Sequence, residues 1–341
     1  MTRIFIIIIL MTINVFSVTL DSNNTKLNVS NMDCYEKIVK LKIETTDNSI
    51  YTRIVRKLQS IYFSIYFSIK YYMLDIYYSF KDKKTIMIKP ENGILDNQKI
   101  YNEDDYKTNR IIAHAGGMIN NNTYTNSLEA LDENYKNGFR LFELDIRKTR
   151  DGIYVAVHEW EQWKTNTKYE GSVPPSLKDF KNYKWHNKYT PLDINDINKW
   201  FCEHKNTILV TDKVNLPIDF SKKFIDKKRL FMELFTWQAV IEGAKEGINV
   251  MPTWPILSTL KNSVVQGLSD LNITAVAASR RVILNNKKLL KELINNNINV
   301  YAFHINYDIG KDEKYVICNE LNYFYGLYAD KWDFKNKLQC K

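Results

Sequence analysis

From Arg110 onward the chain alternates short apolar runs with longer amphipathic stretches. "RIIAH", "RLFELDIR", "IYVAVHE", "TILVTDKV", "RLFMELF", "INVMPTW", "ITAVAAS", "INVYAFHIN" and "YGLYAD" read as strands. "TNSLEALDENYKNG" and "NNKKLLKELINNN" carry the three-to-four-residue spacing of helices between them. That alternation is the pattern of an α/β fold. Nine strand candidates are one too many for an eight-stranded barrel. The linker "KTRDG", Lys148 to Gly152, resolves the excess. A parallel crossover needs a dozen or more residues, and Asp-Gly is a hairpin signal. "IYVAVHE" is therefore expected to fold back antiparallel on the strand before it. Eight staves remain, which predicts a TIM-type (β/α)8 barrel over residues 108–338 with a small β-hairpin at its active mouth.

The preceding residues follow other patterns. Ile4 to Val18 form an apolar run behind Arg3, short for a bilayer span and suited to a signal-peptide core. Residues 1–20 read as a signal peptide or an N-terminal anchor. Either way the protein is expected to be exported: periplasmic, secreted or membrane-anchored. Residues 21–107 read as an N-terminal helical extension. In it "IYFSIYFSIK" repeats every four residues, aligning Ser60, Ser64 and Ser68 on one stripe among aromatics. Lys70 and Asp75 oppose a clean transmembrane helix. With Arg53, Arg56 and Lys57 ahead of it, the segment suits a helix lying on an anionic membrane surface. A helix packed against the following domain suits it equally.

Composition adds little to this picture. The 341 residues are 45% hydrophobic, enough for a substantial core, and the formal charge is +9. The lysines are dispersed, and no basic block interleaved with aromatics marks a nucleic-acid surface. Nucleic acid is therefore not expected as a partner, whereas an anionic substrate is compatible with the charge. Cys34, Cys202, Cys318 and Cys340 lack metal-ligand spacing and permit disulfides in an exported protein.

The candidate chemistry sits at the strand ends, where α/β folds place it. Glu143 and Asp145 are two residues apart on one strand and share a face, while Phe142, Leu144 and Ile146 take the other. Two adjacent carboxylates repel unless a cation or proton lies between them, which suits a hard, oxygen-liganded ion such as Mg²⁺ or Ca²⁺. Asp212 ends "TILVTD" and offers a third carboxylate. His114 ends the first strand, and the hairpin returns His158 towards the same mouth. Two histidines beside a metal make an acid/base pair.

These residues carry a family resemblance. "HAGG", "TNSLEAL", "FELDIRKTRDGIYVAVHE", "YTPLDINDI" and "VYAFHIN…YGLYAD" resemble, in order, motifs of the glycerophosphodiester phosphodiesterases, within the phosphatidylinositol-phospholipase-C-like barrel superfamily. The resemblance implies His114 and His158 as the catalytic pair and Glu143 and Asp145 as metal ligands. It implies metal-dependent hydrolysis of a small-molecule or lipid-derived phosphodiester. Three positions depart from it. Ala115 stands where the family has arginine; "TDKV" replaces Glu-x-Lys, leaving Asp212 as ligand and Lys213 one place early as a phosphate contact; and Phe303-His304 replaces Trp-Thr. Trp160, Trp163 and Trp254 are candidates for lining the alcohol site, with core packing as the alternative. Asn126 either orders the loop beside His114 or caps the following helix. Rival readings are a phospholipase C/D-like enzyme on intact membrane lipid, and a catalytically silent binding barrel.

Overall fold

The computed structural model describes residues 110–260, 263–334 and 340. The readings of residues 1–20 and 21–107 fall outside these, and so do the aromatic segment and its membrane role. Among the described residues no helix is long and apolar enough to cross a membrane.

Among the described residues nine strands form one sheet. They are β1 (Ile111–Ala113), β2 (Leu141–Lys148), β3 (Tyr154–Ala156), β4 (Ile208–Asp212), β5 (Leu230–Leu234), β6 (Asn249–Pro252), β7 (Ala275–Ser279), β8 (Asn299–Phe303) and β9 (Gly326–Ala329). All but β3 are parallel, in the order β6-β5-β4-β2-β1-β9-β8-β7. A parallel bridge between Thr253 and Ala277 joins the two outer strands, so the sheet closes into a barrel. The expected hairpin is present. β3 pairs antiparallel with β2, Ile146 opposite Ala156 and Lys148 opposite Tyr154, across a turn in which Gly152 has φ +82°.

Strand alternation divides the interior. Ile112, Leu141, Val210, Phe231, Met251, Ala275, Ala277, Tyr301 and Tyr328 fill the barrel. Phe142, Leu144 and Ile146 face outward into the larger core between barrel and helices, as the pattern of β2 requires. Helices α1 (Leu128–Asn137), α2 (Trp160–Thr167), α3 (Leu177–Asn182) and α4 (Ile194–Glu203) separate the first strands. α4 shows why such helices form. Asp193 and Asp196 make a reciprocal capping box at its start, while Ile194, Ile197, Trp200 and Phe201 supply the buried stripe. A third apolar cluster, with Val155, Val157, Trp163, Phe180, Trp185 and Tyr189, backs the hairpin. Cys318 and Cys340 form a disulfide.

Candidate active site

β2 and β4 place the carboxylates. Asp145 and Asp212 are partners in the parallel register, with Glu143 two residues earlier on the same face. One oxygen from each of Glu143, Asp145 and Asp212 lies within 4.8 Å of the others. Glu143 and Asp145 are each only 1% exposed. Burial, joined by the charges of Asp145 and Asp212, holds the Glu143 carboxyl well above the usual carboxylate range; a hydrogen bond from the Ala115 N–H offsets this in part. Asp145 is raised by burial and by Asp212, against the counter-pull of His158, Asn126 and Lys213. Glu143 Oε2 accepts from the Ala115 N–H at 2.7 Å, but Oε1 is buried without a hydrogen-bond partner. A buried carboxylate oxygen left unpaired is costly. Three converging hard oxygen donors, one of them orphaned, fit a divalent cation.

Lys213 enters the same site by a backbone device. The residue after an inward-facing strand position would normally point away from the barrel. At φ +64° the chain turns left-handed instead. Its Nζ then stands 2.8 Å from Asp212 Oδ2 and 3.9 Å from Asp145 Oδ1. Burial alone would lower this ammonium's pKa, but Asp212 beside it outweighs that and raises it.

The histidines are oriented by unlike partners. His114 opens a tight turn through Ala115, Gly116 and Gly117, all at positive φ. At Gly117 a β-carbon would lie 2.4 Å from Asn134 Nδ2, and the buried Asn134 amide fastens the turn by donating to the Gly116 carbonyl. His114 Nδ1 is 2.9 Å from Asp330 Oδ1, just past the end of β9. His158 follows the hairpin arm, where the Val157 N–H donates to the Asp145 carbonyl. Its Nδ1 is 3.2 Å from Gln162 Oε1. With Nδ1 donating to that oxygen, each neutral ring would present Nε2 as its basic nitrogen. The Tyr124 ring touches both, its centroid 4.6 Å from His114 and 4.5 Å from His158.

His114, His158, Glu143, Asp145, Asp212 and Lys213 thus come together. Asn126 also joins them, though as a prop: its amide donates to Asp145 Oδ2 and accepts from the Asp145 N–H. The helix cap is Ser127, which accepts from the Ala130 N–H. Trp160 packs on Trp163 and Phe180, and Trp254 packs against the core between barrel and helices. His304 joins the mouth at the end of β8, its Nδ1 3.1 Å from Ser279 Oγ. Burial, then Arg281, His114 and Lys213, lowers its pKa.

Sequence reasoning missed Asp330, Gln162, Tyr124 and Glu233. Glu233, inward on β5, accepts from the Tyr328 hydroxyl at 3.1 Å, and burial together with Asp212 raises its pKa well above the carboxylate range. Two of the four had a signal. Asp330 stands at a strand end, as Asp212 does, and Glu233 sits on an alternate position of "FMEL".

Comparison with known proteins agrees with this geometry. No curated protein matches the chain. The barrel is similar to two crystal structures from Parabacteroides distasonis. One, a glycerophosphodiester phosphodiesterase, is 16% identical with a TM-score of 0.50, covering 65% of this chain and 92% of that one. The other, a glycerophosphoryl diester phosphodiesterase, is 14% identical with a TM-score of 0.54, covering 72% and 90%. These likenesses establish the fold. The model of the glycerophosphoryl diester phosphodiesterase family matches residues 114–180, a span that takes in His114, Glu143, Asp145 and His158. Over residues 114–180 the chain is thus similar to the glycerophosphoryl diester phosphodiesterase family, and the barrel around that span has the fold of the two crystal structures.

Proposed function

We propose that the protein is a metal-dependent phosphodiester hydrolase that cleaves glycerophosphodiesters to glycerol 3-phosphate and an alcohol. The observation that carries this reading is the convergence of two histidines, each held through Nδ1, on a cluster of three carboxylates at one barrel mouth. Glu143, Asp145 and Asp212 would hold the cation, Mg²⁺ or Ca²⁺, which supplies positive charge to a phosphoryl oxygen and to the nucleophile. Lys213 adds a second positive group where the phosphate would sit. One histidine takes the proton of the nucleophile, either water, which gives glycerol 3-phosphate directly, or the glycerol 2-hydroxyl, which gives a cyclic phosphate that a water then opens. The other gives a proton to the leaving alkoxide. Asp330 and Gln162 hold the two rings for that exchange, and Asn126 fixes Asp145 from behind.

Export belongs to the same proposal and is supported by the apolar run from Ile4 to Val18. The test of function uses purified protein with Mg²⁺ or Ca²⁺ and a set of glycerophosphodiesters differing in the alcohol. Release of glycerol 3-phosphate is the expected product. A folded protein that cleaves none of them, with either ion, would contradict the reading and leave a binding barrel.

A further inference from the structure

Tyr124 is not used by the chemistry above, yet it lies against both histidines. Acid/base catalysis needs each imidazole within about 2.6–3.2 Å of a substrate oxygen. An aromatic ring in contact with both imidazoles borders the ground that a phosphodiester must reach. The tyrosine is held there at its tip: its hydroxyl meets the Tyr307 hydroxyl at 3.1 Å, across the mouth from the loop after β8. Tyr307 is 54% exposed and its neighbour Ile309 is fully exposed. Both sides of this bridge are bent backbone. Asn120, Asn121, Tyr124 and Asn126 have positive φ on one side, and His304, Asn306 and Gly310 on the other. A tyrosine at φ +58° is strained by its own β-carbon. Tyr124 also borders a small recess lined by Trp163, Phe180, Trp185 and Tyr189.

We propose that Tyr124, latched to Tyr307, is a gate that covers the two histidines and must swing aside before a diester can bind. The latch is one solvent-exposed hydrogen bond, easily exchanged for bonds to water. That makes the gate light: a substrate that binds the cation site and Lys213 displaces it. The inference rests on the two histidines as working groups, and the labelling that decides it does not depend on turnover.

The experiment uses the full chain and Tyr307→Phe, which keeps the exposed ring and removes the latch. Carbethoxylation of His114 and His158 by diethyl pyrocarbonate is followed by peptide mass spectrometry, with His204 as internal reference. Both rates should rise about 2- to 10-fold, the weight of one exposed hydrogen bond, and kcat/KM for a soluble glycerophosphodiester should rise with them. Tyr124→Ala, which removes the cover, should accelerate labelling at least as much. Unchanged labelling of the two histidines in either variant overturns the gate. A protein inactive on every diester would sink the proposed function, while the labelling would still decide the gate.

Discussion

The barrel has two interiors, built by the same strands two residues apart. Val210, Phe231 and Met251 belong to its apolar filling; two positions further along each strand stand Asp212, Glu233 and Thr253. Leu141 gives way to Glu143 and then Asp145, and Tyr328 to Asp330. The inner layer is a packed core, where each large side chain contributes about 1.5–3 kcal/mol by leaving water. The mouth layer works against the fold. It buries carboxylates beside one another, raises the pKa of three of them and leaves Glu143 Oε1 unpaired. Alternation at a strand's period carries both layers, so stability and chemistry occupy one wall without sharing residues.

If the layers are separable, mutations should sort by layer. The largest expected effect is at the mouth. His114→Ala and His158→Ala should each lower kcat about 10²- to 10⁴-fold while the melting temperature stays near that of the parent. Near-native turnover in either would end the two-histidine reading. The inner layer should respond oppositely. Phe231→Ala, 3% exposed in the parent, should cost about 3–5 kcal/mol in denaturant titration and leave turnover per folded molecule unaltered. A collapse of turnover in a still-folded Phe231→Ala protein would show that the layers are coupled.

The smallest effect is a pH slope. Glu143, Asp145 and Glu233 have pKa values raised by burial and by neighbouring carboxylates. Their protons are held in the fold and released more readily by the unfolded chain. The associated stability is full below the unfolded carboxylate values of about 4–4.5 and is lost as pH rises towards the raised folded values. Chelated protein should therefore melt at progressively lower temperature from about pH 5 upward, by at most about 1.4 kcal/mol per pH unit for each proton. Asp219 and Asp308, whose pKa values are lowered, act with opposite sign only below the usual aspartate value of 3.8. Added cation should flatten the slope. A melting curve that rises with pH in chelator would contradict the buried-carboxylate picture.

Much of this wall was legible in the sequence. Eight staves and the returning arm follow from strand periodicity and from "KTRDG" alone, because a five-residue link permits only a hairpin. Glu143, Asp145 and Asp212 were legible because strand alternation is a strictly local rule. Their partners were not. Asp330 meets His114 across 216 positions of chain, a closeness set by barrel closure, which no local pattern encodes. Lys213 looked misplaced by one residue because alternation presumes extended backbone, and the chain turns left-handed there. Asn126 could be read either as a loop prop or as the helix cap for a related reason, and Ser127, which takes the cap, was not singled out. Both side chains can cap a helix, and the deciding partner, Asp145, comes from another strand. Tyr124 gave no signal, since its contact with two histidines depends on a loop with φ +58° at the tyrosine itself.

The proposed function stands on a divalent cation held by the mouth carboxylates and needed by the reaction. Its most direct test is turnover of a glycerophosphodiester by the parent protein and by Asp145→Asn, after exhaustive chelation and again after Mg²⁺ or Ca²⁺ is restored. Chelation should abolish parent turnover, one of the two ions should restore it, and Asp145→Asn should stay inactive at ion levels saturating the parent. Full turnover in demetallated parent protein would contradict it.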